Sequence, residues 1–177
     1  MAMSQPHYTL PAPIMAEKTK LLIVIAPYYK DIADQLLTGA RAAITAAGAT
    51  HETVEVPGAL EVPTAIRLAS NSREYDGFVA LGCIIRGETT HYDTVCNDSS
   101  NALQMMGLSG LCIGNGILTV ENHEQARVRA EADGQNKGGG AADAAMHLIA
   151  LARKFNRKTK GIGFKPASEN ILMAGDT

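Results

Sequence analysis

The sequence predicts an α/β fold, a four-stranded parallel sheet between two helix layers, three layers αβα in all. Three observations carry that expectation. Runs such as LLIVIA (21–26) and GFVALGCII (77–85) are apolar without alternation, as strands covered on both faces are. Segments with apolar residues at helical spacing follow the strand-like runs. The two kinds alternate along the chain, which is the order of βαβ units with right-handed crossovers.

Taken in order, LLIVIA is the first strand, and DIADQLLTGARAAITAAG (31–48) is a helix with Ile32, Leu36, Ala40, Ala43 and Ile44 on one stripe and Gly48 as its stop. THETVEV (50–56) reads as a strand and LEVPTAIRLASNS (60–72) as a helix once past its first turn. The third strand, 77–85, leads into a helix at 92–107, YDTVCNDSSNALQMMG. GLCIGNGI (110–117) reads as the fourth strand and HEQARVRAEAD (123–133) as a helix. GQNKGGG is read as a Gly-rich break before a last helix, AADAAMHLIALARKF (141–155). Pro6, Pro11 and Pro13 make 1–19 a flexible N-terminal arm, leaving one domain at 20–156 and a C-terminal tail at 157–177.

Bulk properties narrow the function. A chain of 177 residues, 46% hydrophobic, fills the core of one domain. A net charge of -2 offers no basic face for nucleic acid, and RKFNRKTK (153–160) is read as the solvated end of the last helix. No apolar run approaches the roughly 20 residues that cross a bilayer, and no secretory signal opens the chain, so a soluble cytoplasmic protein with no membrane partner is expected. Cys83, Cys96 and Cys112 are odd in number and lack CxxC or Cys/His spacing. They are read as small buried hydrophobes, with neither a disulfide framework nor a metal site.

In open α/β sheets, ligands bind beyond the carboxyl ends of the strands. The loops leaving the four strands are APYY, VPGALE, IRGETTHYD and GNGILTVEN. RGETTH bridges a strand and a helix, so the N–H groups of Gly87 to Thr90 and the hydroxyls of Thr89 and Thr90 suit a phosphate cradle. Neither GxxxxGK[ST] nor GxGxxG is present, and a Thr-capped helix fits the same pattern. His91, at the edge of the cradle, is a proton carrier or a helix cap, and Asp93 either orients its ring or caps the helix. A thiol hydrolase built on Cys96 and His91 lacks a third group.

Pro57 and Gly58 turn the chain ahead of a helix and free the N–H groups of Ala59 and Leu60, with Glu61 placed to accept from a polyol or simply to sit at the positive end of the helix dipole. Tyr28 and Tyr29 leave the first strand, where they stack on a planar ring or pack as ordinary aromatics. Of Arg127 and Arg129, only one can face a given site, and the fork of Arg129 suits a phosphate. Lys137, in its Gly-rich loop, is free to reach an anion or a polar ring.

VPGALEVP, LGCIIRGETTHYDTVCN, GNGILTVENHEQARVRA and GQNKG, in this order and over residues 20–156, resemble the lumazine synthase family. The resemblance implies a flavodoxin-like fold and an enzyme of riboflavin biosynthesis. That enzyme condenses 5-amino-6-ribitylamino-pyrimidinedione with 3,4-dihydroxy-2-butanone 4-phosphate to 6,7-dimethyl-8-ribityllumazine, releasing phosphate and water, with no cofactor and no metal. It also implies roles. His91 becomes the catalytic proton carrier. Gly87, Glu88 and Thr89 form the phosphate loop, with Arg129 as its cationic partner. Ala59, Leu60 and Glu61 bind the ribityl chain, Glu61 accepting from a hydroxyl. Cys83, Ile84 and Ile85 line the pyrimidine pocket, Tyr28 stacks on the ring, and Asn115 and Lys137 complete the substrate site.

The family assembles as homopentamers or multiples of them, with sites shared by neighbouring subunits, so Asn115, Arg129 and Lys137 are expected to meet His91 across an interface. Three positions depart from the family pattern. Leu60 stands where an aromatic is usual, Asn115 where a Phe-like residue often precedes GILT, and Tyr29 where Asn is frequent. A thinner aromatic wall leaves a weakly catalytic flavin- or lumazine-binding, or shell-forming, homologue as the alternative.

Overall fold

The computed structural model describes residues 8–160, and side chains up to residue 156. β1 (Lys20–Ile25), β2 (Thr50–Glu55), β3 (Gly77–Ile85) and β4 (Ile113–Val120) form one parallel sheet in the order β2-β1-β3-β4. The helices are α1 (Lys30–Ala46), α2 (Glu61–Ser70), α3 (His91–Leu108), α4 (His123–Ala130) and α5 (Lys137–Lys160). The expected three-layer parallel α/β architecture is what the chain adopts.

The unbroken apolar runs have a direct cause. Leu21, Ile23 and Ile25 of β1 point into a core with α1, α4 and α5, while Leu22 and Val24 point into a second core with Val62 and Ile66 of α2 and Leu103 of α3. Each face of the sheet is thus covered, and burial of one such aliphatic side chain contributes about 1.5–3 kcal/mol.

Three elements differ from the sequence expectation, one of them simply because α4 stops at Ala130 rather than at 133. Gly110, at φ 102, ends α3 in the left-handed conformation, and β4 starts only at Ile113 and runs to Val120 beside Ile85 of β3. The fourth strand is therefore displaced from the expected 110–117 toward the C-terminus, and Asn115 lies inside it rather than near its end. GQNKGGG is not a break. Asn136, at φ 48, accepts from the Gly139 N–H through Oδ1 at 3.0 Å and from the Gly140 N–H through its carbonyl at 3.0 Å, and α5 begins at Lys137. The glycines serve packing: a Cβ on Gly138 would lie 2.1 Å from the Leu36 carbonyl oxygen of α1. Lys137, expected in a loop, is the exposed first residue of this helix.

Of the N-terminal arm, Met15 packs on the core and its N–H donates to Ala47 O at 2.8 Å, while residues 1–7 lie outside the described part. Of the C-terminal tail, 157–160 continue α5, and 161–177 lie outside it. Arg153 of α5 bonds Asp76 at 3.0 Å, Thr19 at 2.8 Å and the Lys18 carbonyl at 3.2 Å. No described helix is long and apolar enough to cross a membrane.

Candidate active site

The strand order reverses between β1 and β3, since the first crossover leaves β1 toward β2 and the next returns past β1 to β3. A crevice opens at the carboxyl ends of strands where such a reversal occurs. A cleft of about 440 Å³ lies there. The β1–α1 loop brings Tyr28 and Tyr29 to it, the β2–α2 turn Pro57, Gly58, Leu60 and Glu61, and the end of β3 Cys83, Ile84 and Ile85. Gly87 and Thr89 come from the β3–α3 loop, and His91, Tyr92 and Val95 from the first turns of α3.

One side of the cleft is aromatic. Tyr28 and Tyr29 pack edge to face, centroids 5.1 Å apart, and Tyr28 is 74% exposed. Burial pushes the Tyr29 phenol above its ordinary value, aided by Tyr28 and Cys83. At the sheet end, burial pushes the Cys83 thiol up to about 12, Asp31 adding to the effect. Cys83 is therefore an apolar floor at neutral pH, not a nucleophile. Burial also raises Cys96, which, with the lack of a third group, weighs against the thiol-hydrolase alternative.

The polar side is built on RGETTH. The His91 N–H lies 3.4 Å from Thr89 Oγ1, and Thr90, the residue ahead of α3, makes no side-chain cap. The helix therefore starts with amide N–H groups unclaimed by a Thr90 hydroxyl, as anion binding at a helix N-terminus requires. The His91 imidazole opens to the cleft without a hydrogen-bond partner among the described residues. Asp93 neither orients that ring nor caps the helix through its side chain: it pairs with Arg86 at 3.2 Å. Arg86 also bonds Glu121 through Nε at 2.9 Å and lies 4.0 Å over the Tyr92 ring. Its hydrogen bond to Glu121 raises its pKa further, so its charge is permanent.

Opposite the cradle, Glu61 opens α2, with its N–H 3.2 Å from the Gly58 carbonyl. A Cβ on Gly58 would sit 3.0 Å from Glu61 Oε2, so the glycine leaves room for the carboxylate to fold over the turn.

Of the residues singled out in the sequence, the cleft brings together Tyr28, Leu60, Glu61, Cys83, Ile84, Ile85, Gly87, Thr89 and His91. Ala59 is buried beneath the turn and Glu88 is exposed beside the loop. Asn115, Arg129 and Lys137 lie off the cleft wall of their own chain. Asn115 accepts from the Ile117 N–H at 3.0 Å and lines a second groove, of about 420 Å³, with Leu108, Leu148, Leu151 and Phe155. Arg129 donates to the Gln125 carbonyl at 3.0 Å, and Arg127 is held by Glu124 and Glu131. Tyr29, a stacking or packing aromatic in the sequence reading, also lines the wall, as do Pro57, Gly58, Tyr92 and Val95, which have no site role in that reading. Val95 was readable as the position one helical turn past His91.

The family model of 6,7-dimethyl-8-ribityllumazine synthase matches residues 18–153, most of the chain. The chain belongs to the 6,7-dimethyl-8-ribityllumazine synthase family. It is 55% identical over 165 residues to the 6,7-dimethyl-8-ribityllumazine synthase of Jannaschia sp. (strain CCS1), covering 93% of each chain. It is 53% identical to the enzyme of that name from Sphingopyxis alaskensis, over 76% of this chain and 96% of the relative. The Bartonella tribocorum protein of the same name is also 53% identical, over 80% and 95%. The lumazine synthase match spans every element from β1 to most of α5, so the loops leaving all four strands at the carboxyl end of the sheet fall within it.

Proposed function

We infer that this chain is a transferase of riboflavin biosynthesis. It condenses 5-amino-6-ribitylamino-pyrimidinedione with 3,4-dihydroxy-2-butanone 4-phosphate to give 6,7-dimethyl-8-ribityllumazine, phosphate and water. The observation that carries this reading is one cleft holding an aromatic wall, a carboxylate and an imidazole beside an open helix N-terminus, in a chain 55% identical to a relative of that name.

The residues divide the chemistry. Tyr28 stacks on the pyrimidinedione, with Cys83, Ile84 and Ile85 as its apolar floor, and Glu61 accepts from the ribityl hydroxyls at the Ala59–Leu60 turn. Gly87, Glu88 and Thr89 hold the phosphate by main-chain N–H groups at the start of α3. The amine of one substrate then meets the ketone of the other. His91 carries protons during imine formation, with loss of water, and during departure of phosphate. Holding two reactive partners in register supplies much of the acceleration.

The assembly belongs to the same proposal. Asn115, Arg129 and Lys137 stand off the cleft, and the groove with Asn115 is edged by Leu108, 81% exposed, and Phe155, 59% exposed. A homopentamer, or a multiple of pentamers, in which a neighbour brings these three residues to His91 accounts for both facts. Arg129 then completes the phosphate site. A cytoplasmic location goes with this role.

Incubating the purified chain with both substrates tests the activity: lumazine absorbance and released phosphate should rise together, and absence of both refutes it. Sharing of the site is tested by refolding inactive His91→Ala and Arg129→Ala chains together. Mixed assemblies should recover activity that neither has alone; no recovery at any mixing ratio would place the whole site within one chain.

A further inference from the structure

The turn between β4 and α4 together with the first residue of α4, residues 121–123, contributes nothing to the cleft wall, yet it is bonded to both sides of the cleft. On one side Glu121 holds Arg86, the residue that opens RGETTH, through Nε at 2.9 and 3.2 Å. Arg86 in turn lies 4.0 Å over the ring of Tyr92 and bonds Asp93. On the other side His123 Nε2 is 2.8 Å from Asp31 Oδ2, in the first turn of α1. The His123 ring also packs edge to face on Tyr29, centroids 6.4 Å apart, and Tyr29 packs on Tyr28.

The turn is itself stiff. Asn122 caps α4 by accepting from the Gln125 N–H at 3.0 Å, and Gln125 Oε1 accepts from the Glu121 N–H at 3.0 Å. The reciprocal pair is a form of capping box, which fixes the entry of the chain into a helix. From this support Glu121 reaches Arg86, at the head of the loop that carries Gly87 and Thr89, while His123 reaches Asp31 at the start of α1 and Tyr29 of the β1–α1 loop.

We propose that Glu121 and His123 are the two arms of a clasp that positions the cleft walls separately: Glu121, through Arg86, sets the phosphate loop, and His123, with Asp31, sets the tyrosine wall. Neither touches substrate; both are positioning residues for the reaction inferred above, and the functional half of the proposal rests on that reading. The pairs are exposed, so they add little to stability. Their effect lies in geometry, where a small displacement of a reacting group is costly in rate.

The test has two readouts. 3-Fluorotyrosine is incorporated at the five tyrosines, Tyr8, Tyr28, Tyr29, Tyr75 and Tyr92, and fluorine NMR is recorded on the assembled protein. His123→Ala should move Tyr29 and leave Tyr92; Glu121→Ala should move Tyr92 and leave Tyr29. Tyr75, on Phe78 at the opposite end of β3, should stay fixed in both. In steady-state kinetics, His123→Ala should raise the KM of the pyrimidinedione about two- to tenfold, the range spanned by loss of one aromatic edge contact, and spare the other substrate. Glu121→Ala should do the reverse, and Glu121→Gln, which keeps an acceptor for Arg86, should recover part of that loss. A crossed pattern in both readouts supports the clasp. Variants that move both tyrosines or neither, or change both KM values by the same factor, overturn it. If the unmutated chain forms no lumazine, the functional reading fails, and the fluorine pattern alone then decides whether the clasp exists.

Discussion

Replacing Gly138 by Ala should destabilise the fold, while the same change two residues on, at Gly140, should stabilise it. Both glycines lie in the first turn of α5, and alanine is the better helix former by about 0.5–1 kcal/mol. At Gly140 a Cβ meets nothing within 4 Å, so that gain stands alone. At Gly138 the new Cβ would lie 2.1 Å from the Leu36 oxygen, 2.8 Å from its carbonyl carbon and 2.9 Å from its Cα. All three are backbone atoms in the middle of α1 and no rotamer can move them. Non-bonded heavy atoms settle at about 3.5 Å, so α1 and α5 must part by roughly 1 Å or bend. Overpacking of this kind costs about 1–3 kcal/mol, and the backbone site puts Gly138→Ala in the upper part of that range. Less the propensity gain, the net loss is about 1–2 kcal/mol, or roughly 2–8 °C in Tm for a chain of this size. Gly140→Ala should gain about 1–4 °C by the same conversion. Thermal or urea unfolding at equal protein concentration measures both, since the assembly proposed above would make the midpoint concentration-dependent. A Gly138→Ala protein as stable as the parent would show that α5 does not start against α1, and Lys137 would return to a loop.

His91→Ala should lower turnover about 10²–10⁴-fold, as loss of a positioned proton carrier does, and leave lumazine affinity nearly unchanged in a fluorescence titration. Because the ring is exposed, stability should hold within about 0.5 kcal/mol; a comparable loss of product binding would make His91 a binding group. Cys83 should resist iodoacetamide at pH 7.5 and be replaceable by Ala without loss of turnover. Its raised pKa also fixes a sign. The folded state holds the thiol proton more tightly than the unfolded one, so this contribution is complete below about pH 9 and is lost as pH climbs toward about 12. Stability of the parent should therefore fall more steeply over that window than stability of Cys83→Ala, and parallel curves would place the thiol in water.

The layers were legible because each strand carries its own signal. β1 and β3 are buried on both faces, so their sequences are apolar throughout, and no other arrangement of an α/β chain explains that. The start of α5 was not legible, for a physical reason. Glycine weakens a helix locally, and only the nearness of Leu36, about a hundred positions earlier in the chain, makes it the residue that fits. For β4 the strand itself was legible and only its bounds were not; Gly114 lies within it under α5, where a Cβ would stand 1.8 Å from the Ala141 carbonyl oxygen.

The site divides along the same line. RGETTH and VPGALE were readable because strand end, loop and helix start are adjacent in sequence, and a phosphate cradle needs only that order. The placement of Arg129 and Lys137, both named from the sequence, was not: they stand off the cleft wall of their own chain, which depends on contacts distant in sequence. The clasp was hidden by distance along the chain: Asp31 and His123 stand at the first turns of α1 and α4, joined because β1 and β4 flank β3 in the sheet. Tyr29 bears the consequence. As a departure from a frequent Asn it counts among the changes that thin the aromatic wall, but with the His123 ring packed edge to face against it, it is a supported wall residue. A substitution away from a family pattern is thus weighed against the contacts that come with it, and here His123→Ala and Tyr29→Asn together should cost pyrimidinedione affinity no more than the larger single change, because the first removes the support on which the second depends.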